Sequence, residues 1–374
     1  MKYFIIAGEA SGDLHASNLV KGIRAFDTDA VITGWGGDLM KAQGVQILKH
    51  ISELSFMGFI EVLKNIRTIK KNFKTCYKHI EEQKPDAVIL VDFPGFNLRV
   101  AKKVFGKVKK LYYYISPTVW AWHRSRMYTV RDFTNRMFVI LPFEKDFYAK
   151  YGIDVDFEGH PLLDALPINH QSHSELYSEN ANIHPSRNIA IFPGSRHQEI
   201  SAILPVMLGA AKKLGNEYKY ILAAAPNIED NYYKNILREF PVELSREGSY
   251  SVLLRSCAAM VTSGTATLET GLIGVPQVVC YSTSAVSFRI AKTLVNVKYI
   301  SLVNLILDEP LVKELIQNEL SIDSLFNEIK LIIPGGEKHH SILEGYNRLR
   351  SITGGPGASY RIAEKMYKGL CDSV

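Results

Sequence analysis

Asp92 is the residue best placed to handle a proton, in the stretch Leu90-Val91-Asp92-Phe93-Pro94-Gly95-Phe96-Asn97. The apolar run Ala87–Val91 reads as a strand buried on both faces, and Pro94 and Gly95 stop it just past the carboxylate. Ligands of open α/β sheets bind outside the carboxyl ends of the strands, where a general base is useful. Asp is also common at turns and helix starts, so capping of the next element is the competing reading.

Other stretches suit phosphate or sugar. Pro193-Gly194-Ser195-Arg196 follows the strand-like run Asn188–Phe192 and opens a helical pattern, giving backbone amides and a guanidinium for a phosphate. Ser263-Gly264-Thr265-Ala266-Thr267-Leu268-Glu269 follows Ala259–Thr262, and its amides and hydroxyls could bind a pyrophosphate while Glu269 holds ribose hydroxyls. Capping by Ser263 or Thr265 is compatible with that use. Asn304, a lone amide in Ser301-Leu302-Val303-Asn304-Leu305-Ile306, marks a turn or a ligand contact. In the first half, Gly8-Glu9-Ala10-Ser11-Gly12-Asp13 follows the strand-like Tyr3–Ala7, as an anion or sugar site or a ligand-free turn. Ser116-Pro117-Thr118 follows Leu111–Ile115 and leads to Trp120, Trp122, His123, Arg124 and Arg126. Indoles stack on sugar rings and arginines grip phosphate, whereas core packing is the alternative for either tryptophan.

Placing these groups requires strands that end together and helices that begin there. The chain supplies two rounds of strand, turn and helix, which predicts α/β architecture with two Rossmann-like domains, parallel sheets and chemistry facing an interdomain cleft. The polar stretch from Leu166 to Arg187 reads as the linker. The expected domains are 1–166, 167–345, and a helical tail, 346–374, that packs back on the first domain. No GxGxxG with a downstream ribose acid follows the first strands, which disfavours a dinucleotide site. Phe59, Val62, Ile66, Ile69 and Phe73 form one helical stripe, with Lys64, Arg67, Lys71, Lys74 and Lys78 on the opposite face. That is either an ordinary solvated helix or a face for an anionic membrane, into which Phe56, Met57 or Phe59 could dip.

The totals describe an ordinary soluble globular protein. At 374 residues two cores are expected, and 47% hydrophobic with 22% charged residues is ordinary for a globular chain. No run reaches the ~18 apolar residues of a membrane span, and the first residues read as a strand rather than a signal peptide. Four scattered cysteines argue against zinc and disulfides, and for a reduced, cytoplasmic setting. The net charge of +6 permits an anionic partner without requiring nucleic acid.

In order along the chain, these motifs resemble the lipid-A-disaccharide synthase family, inverting glycosyltransferases of the GT-B type. The resemblance runs through Gly8–Asp13, Met57-Gly58, Asp92–Asn97, Ser116–Trp122, Leu141–Glu144, Gly159-His160-Pro161, Pro193–Arg196, Ser263–Glu269 and Ser301–Asn304. It implies transfer from UDP-2,3-diacylglucosamine to 2,3-diacylglucosamine 1-phosphate, without metal or cofactor, at the inner leaflet of the inner membrane. It makes Asp92 the essential carboxylate and puts Gly194, Ser195, Arg196, Ser263, Gly264, Thr265, Glu269 and Asn304 at the donor. It leaves Glu9, Ser11, Asp13, Ser116, Trp120, Trp122 and His160 for the acceptor or the cleft. Phe56, Met57, Phe59, Lys64, Arg67 and Lys71 would face the membrane. A homo-oligomer is allowed but not required. Where some members carry a second acid in the Asp92 motif, this chain has Gly95. The rival readings are a UDP-sugar 2-epimerase, the peptidoglycan N-acetylglucosaminyltransferase, and a sugar-nucleotide-binding protein without turnover. An epimerase would ignore lipid vesicles, and a mere binder would release no UDP.

Overall fold

The computed structural model describes residues 1–54, 66–121, 124–166, 187–284, 288–289 and 297–372. The chain divides into two units, Met1–Ala165 with Thr353–Val374, and Leu166–Ile352.

The first unit runs β1 (Lys2–Ala7), α1 (Ala10–Phe26), β2 (Val31–Gly36), α2 (Asp38–Ala42), β3 (Gln46–His50), α3 (Ile66–Gln83), β4 (Ala87–Val91), α4 (Pro94–Val104), β5 (Lys110–Tyr114), α5 (Arg126–Phe133), β6 (Arg136–Val139), α6 (Pro142–Ala149), β7 (Asp156–Phe157) and α7 (Leu162–Ala165). Its strands form one parallel sheet in the order β3-β2-β1-β4-β5-β6-β7. Because strand side chains alternate, Phe4, Ile6, Leu90 and Tyr113 join one core while Tyr3, Ile5, Ala7, Val91 and Tyr114 join the other. The apolar stripe read as 59–73 continues on α3 through Cys76 and Ile80, both buried, and Phe73 stacks on Phe96 at 4.4 Å.

The second unit runs β8 (Asn188–Phe192), α8 (His197–Leu214), β9 (Lys219–Ala223), α9 (Asp230–Leu237), β10 (Glu243–Ser245), α10 (Ser249–Leu254), β11 (Ala258–Thr262), α11 (Thr265–Ile273), β12 (Gln277–Tyr281), α12 (Leu302–Leu307), β13 (Glu314–Ile316), α13 (Ile322–Ile332) and α14 (His339–Ile352). Its sheet is parallel too, in the order β10-β9-β8-β11-β12-β13. In both sheets the strand order therefore reverses once. The reversal lies between β1 and β4 in the first and between β8 and β11 in the second, and such switch points are where this architecture binds ligands.

The last helix, α15 (Ala358–Cys371), belongs to the first unit. The break between units falls after Ile352 rather than at 345, because α14 packs its buried Ile342, Tyr346 and Leu349 with the second unit. Asp164 caps α15, accepting the Gly357 and Ser359 N–H groups at 2.5 and 2.7 Å. Arg361 donates to the Glu158 carbonyl at 2.6 Å, and Lys365 forms ion pairs with Asp156 at 2.6 Å and Glu158 at 2.5 Å. Against α1, Gly22 permits the close approach: a Cβ there would lie 2.9 Å from Ala363 Cβ and 3.0 Å from the Ser359 carbonyl oxygen. Gly22→Leu should improve helix propensity yet destabilise the protein by about 1–3 kcal/mol through overpacking. Urea unfolding measures the loss, and limited proteolysis should then attack α15 first; wild-type stability would show that the helix pair tolerates separation.

Candidate functional site

At the first switch point Ala7 pairs with Val91, so β1 and β4 release the chain at the same level, at Gly8 and Asp92. Asp92 and Phe93 both leave with left-handed backbone, φ 47° and 49°. Such a conformation costs a non-glycine residue on the order of 1–3 kcal/mol unless its surroundings enforce it. Here they do. The Asp92 N–H donates to the Tyr114 carbonyl at 2.8 Å, and the Asp92 carbonyl accepts from Asn97 Nδ2 at 2.8 Å and from the Tyr113 hydroxyl at 2.9 Å. Pro94, at the first position of α4, needs no donor partner. Gly8 lies under the Phe93 ring, where a Cβ would come within 2.4 Å of ring carbons, so the two turns interlock.

The Asp92 side chain is half-buried, and burial raises its pKa from 3.8 to about 6. The Glu9 carboxylate adds to the rise, against a hydrogen bond from the Phe93 N–H. Glu9, the exposed N-cap residue of α1, and Asp92 thus form a carboxylate pair, with exposed Ser11 two residues further along. A group so poised is ionised at neutral pH yet retains proton affinity.

The other expected residues of this half are used differently. Asp13 is buried and accepts N–H bonds from Gly37 at 2.7 Å, Leu39 at 3.0 Å and Met40 at 3.2 Å, so it caps α2 rather than facing a substrate. His160 is also buried: its ring Nδ1 accepts the Leu162 N–H at 3.1 Å and its backbone N–H donates to the Thr353 carbonyl at 2.8 Å. Burial, with His15 nearby, pushes its pKa down to about 3 and keeps the ring neutral. Ser116 is buried within 2.7 Å of the Tyr148 hydroxyl. Trp120 is half-buried, edge-on to Phe143 with centroids 5.2 Å apart. Beside them Glu144, which the sequence placed only within a motif, is buried and accepts the Leu141 N–H at 2.9 Å, with burial raising its pKa to about 7. Trp122, Phe56, Met57, Phe59 and Lys64 lie outside the described residues. Arg67, Lys71 and Lys74 are exposed on α3 with Lys70, and among the described residues none of the four has an acidic partner, whereas Lys78 meets Glu82 at 3.5 Å.

At the second switch point Phe192 pairs with Val261, so Pro193 and Thr262 lie side by side. Gly194 turns with φ 105°, and Ser195 and Arg196 follow, exposed, at the start of α8. Asn227 Nδ2 holds the loop through the Ser195 carbonyl at 3.0 Å. The Thr262 hydroxyl is buried and has no hydrogen-bond partner among the described residues. Gly264 and Thr265 are exposed, and Ser263 donates to the Ile300 carbonyl at 2.9 Å. Thr267 accepts the Leu302 N–H at 3.3 Å, which laces this turn to the start of α12. Glu269 is half-buried on α11, and burial alone raises its pKa to about 7, as for a carboxylate that has not met its donors.

Asn304 is fully employed inside the protein. Its amide donates to the Val312 carbonyl at 2.8 Å and to Glu314 at 3.0 Å, and its oxygen accepts the Val312 N–H at 2.9 Å. Asn304 thus shapes the loop behind the turn rather than offering free polar atoms to a ligand. Glu314, which also accepts the Ser301 N–H at 2.9 Å, is the hub that sequence reasoning missed, because its partners are brought together only by β13. Glu199 was equally overlooked as a functional group, although it stands three residues beyond the helix-capping Arg196, the spacing of a residue that reaches back over a helix start.

Comparison with known proteins follows this geometry. Residues 3–351 match the family model described as Lipid-A-disaccharide synthetase. Lipid-A-disaccharide synthase of Trichlorobacter lovleyi is 36% identical over 369 residues, spanning 97% of this chain and 96% of that protein. The Myxococcus xanthus enzyme of the same name is 36% identical over 375 residues, 99% and 97% of the two chains. Among solved structures, UDP-GlcNAc 2-epimerase from Neisseria meningitidis bound to UDP-GlcNAc superposes with TM-score 0.66 at 14% identity, covering 98% of this chain and all 100% of that one. The glycotransferase of kitacinnamycin gives 0.63 at 14%, covering 99% of both chains. The structural likenesses establish a GT-B architecture of two parallel-sheet α/β domains. With the family match over nearly the whole length, the chain belongs to the lipid-A-disaccharide synthase family of glycosyltransferases.

Proposed function

We propose that this enzyme transfers 2,3-diacylglucosamine, with inversion, from its UDP carrier to 2,3-diacylglucosamine 1-phosphate, giving the β-1',6-linked disaccharide 1-phosphate and UDP. The observation that carries the reading is Asp92, a half-buried carboxylate with raised pKa at a switch point, on a backbone held by three hydrogen bonds. Asp92 takes the proton of the acceptor hydroxyl as that oxygen attacks the donor's anomeric carbon from the face opposite UDP. The bond from that carbon to the diphosphate breaks, and the electron pair leaves with UDP. Arg196 and the amides opening α8 and α11 meet the charge on the departing diphosphate, and Glu269 accepts ribose hydroxyls.

Asp92→Asn separates chemistry from folding. The amide cannot accept the proton, so turnover should fall about 10²- to 10⁴-fold, read as UDP release that requires both acylated substrates with the disaccharide identified by mass. The same variant should melt no lower than wild type at neutral pH. A carboxyl whose pKa is raised by folding costs stability when ionised; the cost is absent below about pH 4, grows up to about 6 and is full above. The melting difference should therefore widen from pH 4 to 6 in favour of the amide. Near wild-type turnover would remove Asp92 from the mechanism.

The substrates' acyl chains place the reaction at a membrane, and no helix among the described residues is long and apolar enough to cross one. The exposed cationic face of α3 supplies a surface contact with the anionic inner leaflet, at roughly 1 kcal/mol per cation. The triple variant Arg67→Gln, Lys71→Gln, Lys74→Gln should lower sedimentation with anionic vesicles at low salt, and leave turnover of detergent-dispersed substrate nearly unchanged. Undiminished vesicle binding would reduce the stripe to a solvated helix face.

A further inference from the structure

We propose that Glu199 occupies the place of a phosphate in the unliganded enzyme and must be displaced when the donor diphosphate binds. The inference rests on assigning the donor to the Gly194–Arg196 turn. Its basis is a coincidence of contacts. Glu199 Oε2 accepts the Ser195 N–H at 3.2 Å, and Oε1 accepts from Arg196 Nη1 at 3.2 Å. Two donors suited to a phosphate, the Ser195 N–H and an Arg196 Nη1–H, therefore both meet one carboxylate. That carboxylate also fills the space above the turn glycine: a Cβ on Gly194 would lie 2.7 Å from Glu199 Oε2 and 2.9 Å from its Cβ. Glycine at such a turn lets an anion approach the backbone, and here the anion is supplied by the chain itself.

The arrangement is built to be released. Both contacts, at 3.2 Å, lie at the long end of the range for N–H···O hydrogen bonds. Arg196 is 74% exposed, so the ion pair is screened and weak. The loop does not depend on Glu199 alone, since Asn227 grips the Ser195 carbonyl at 3.0 Å and the Tyr232 hydroxyl the His197 carbonyl at 2.9 Å. A diphosphate offers more charge and more acceptor oxygens than one carboxylate, and so takes over the same donors. When UDP leaves, Glu199 returns and prevents the cradle from retaining product.

The test uses the full-length enzyme with UDP and uridine as probes, titrated calorimetrically against wild type, Glu199→Gln and Arg196→Ala. Glutamine is the other residue that suits this helix position, so the helix start persists while the charge is removed. Displacement of a resident carboxylate predicts that Glu199→Gln binds UDP about three- to tenfold more tightly, with uridine affinity unchanged because uridine carries no phosphate. Unchanged or weakened UDP binding by Glu199→Gln, with Arg196→Ala still impaired, would overturn the placeholder and leave the donor assignment standing. UDP binding indifferent to Arg196→Ala would overturn the donor assignment and the placeholder with it.

Discussion

In the proposed mechanism strand β4 has to end with a carboxylate that is buried enough to hold a proton near neutrality and open enough to meet a hydroxyl. The protein meets this demand by forcing Asp92 and Phe93 into left-handed backbone. Tyr113 and Asn97 hold the Asp92 carbonyl while the Tyr114 carbonyl holds its N–H, so the strain rests on hydrogen bonds from two neighbouring elements. Phe93 then presses on Gly8 and ties the turn after β1 to the turn after β4. Around this knot the carboxylate of Glu9 is brought near enough to raise the proton affinity of Asp92. Ionisation of Asp92 costs the fold stability, as is common where a site is tuned for chemistry.

The second unit repeats the geometry with different chemistry. Its switch point gathers amides, hydroxyls and a guanidinium, and burial alone raises the pKa of its carboxylate Glu269. Both sites stand on polar side chains that are hydrogen-bonded within the protein. Asp13 holds the start of α2, His160 the turn before α7, and Asn304 with Glu314 the loop behind Ser263. Asp13, His160 and Asn304 are buried polar groups with partners supplied, as burial requires. Their substitution should therefore act through stability and positioning.

Much of this was legible in the chain. The central strands announce themselves as apolar runs, and β4 and β8 have the bounds read from sequence, Ala87–Val91 and Asn188–Phe192. The short edge strands β3, β7, β10 and β13 were not foreseen: two to five residues with neighbours on one side carry little periodicity. At the sites, residue types and strand-end positions pointed to Asp92, Arg196 and Glu269. Spacing could not tell that Asp13 and Asn304 are engaged by partners within the protein, since those partners arrive from other parts of the chain. Nor could it show the proton affinity of Asp92, which depends on burial and on Glu9, 83 positions earlier in the chain.

The central claim is that Asp92 is the base and that Glu9 and burial set its proton affinity. The pH dependence of kcat/KM for disaccharide formation tests it most directly, because that ratio reports ionisation in the free enzyme. The acid limb should have an apparent pKa of about 6 in the wild type and move to lower pH in Glu9→Gln, where the like charge is gone. An acid limb at the ordinary carboxylate value near 4, or one that Glu9→Gln leaves in place, would contradict the account.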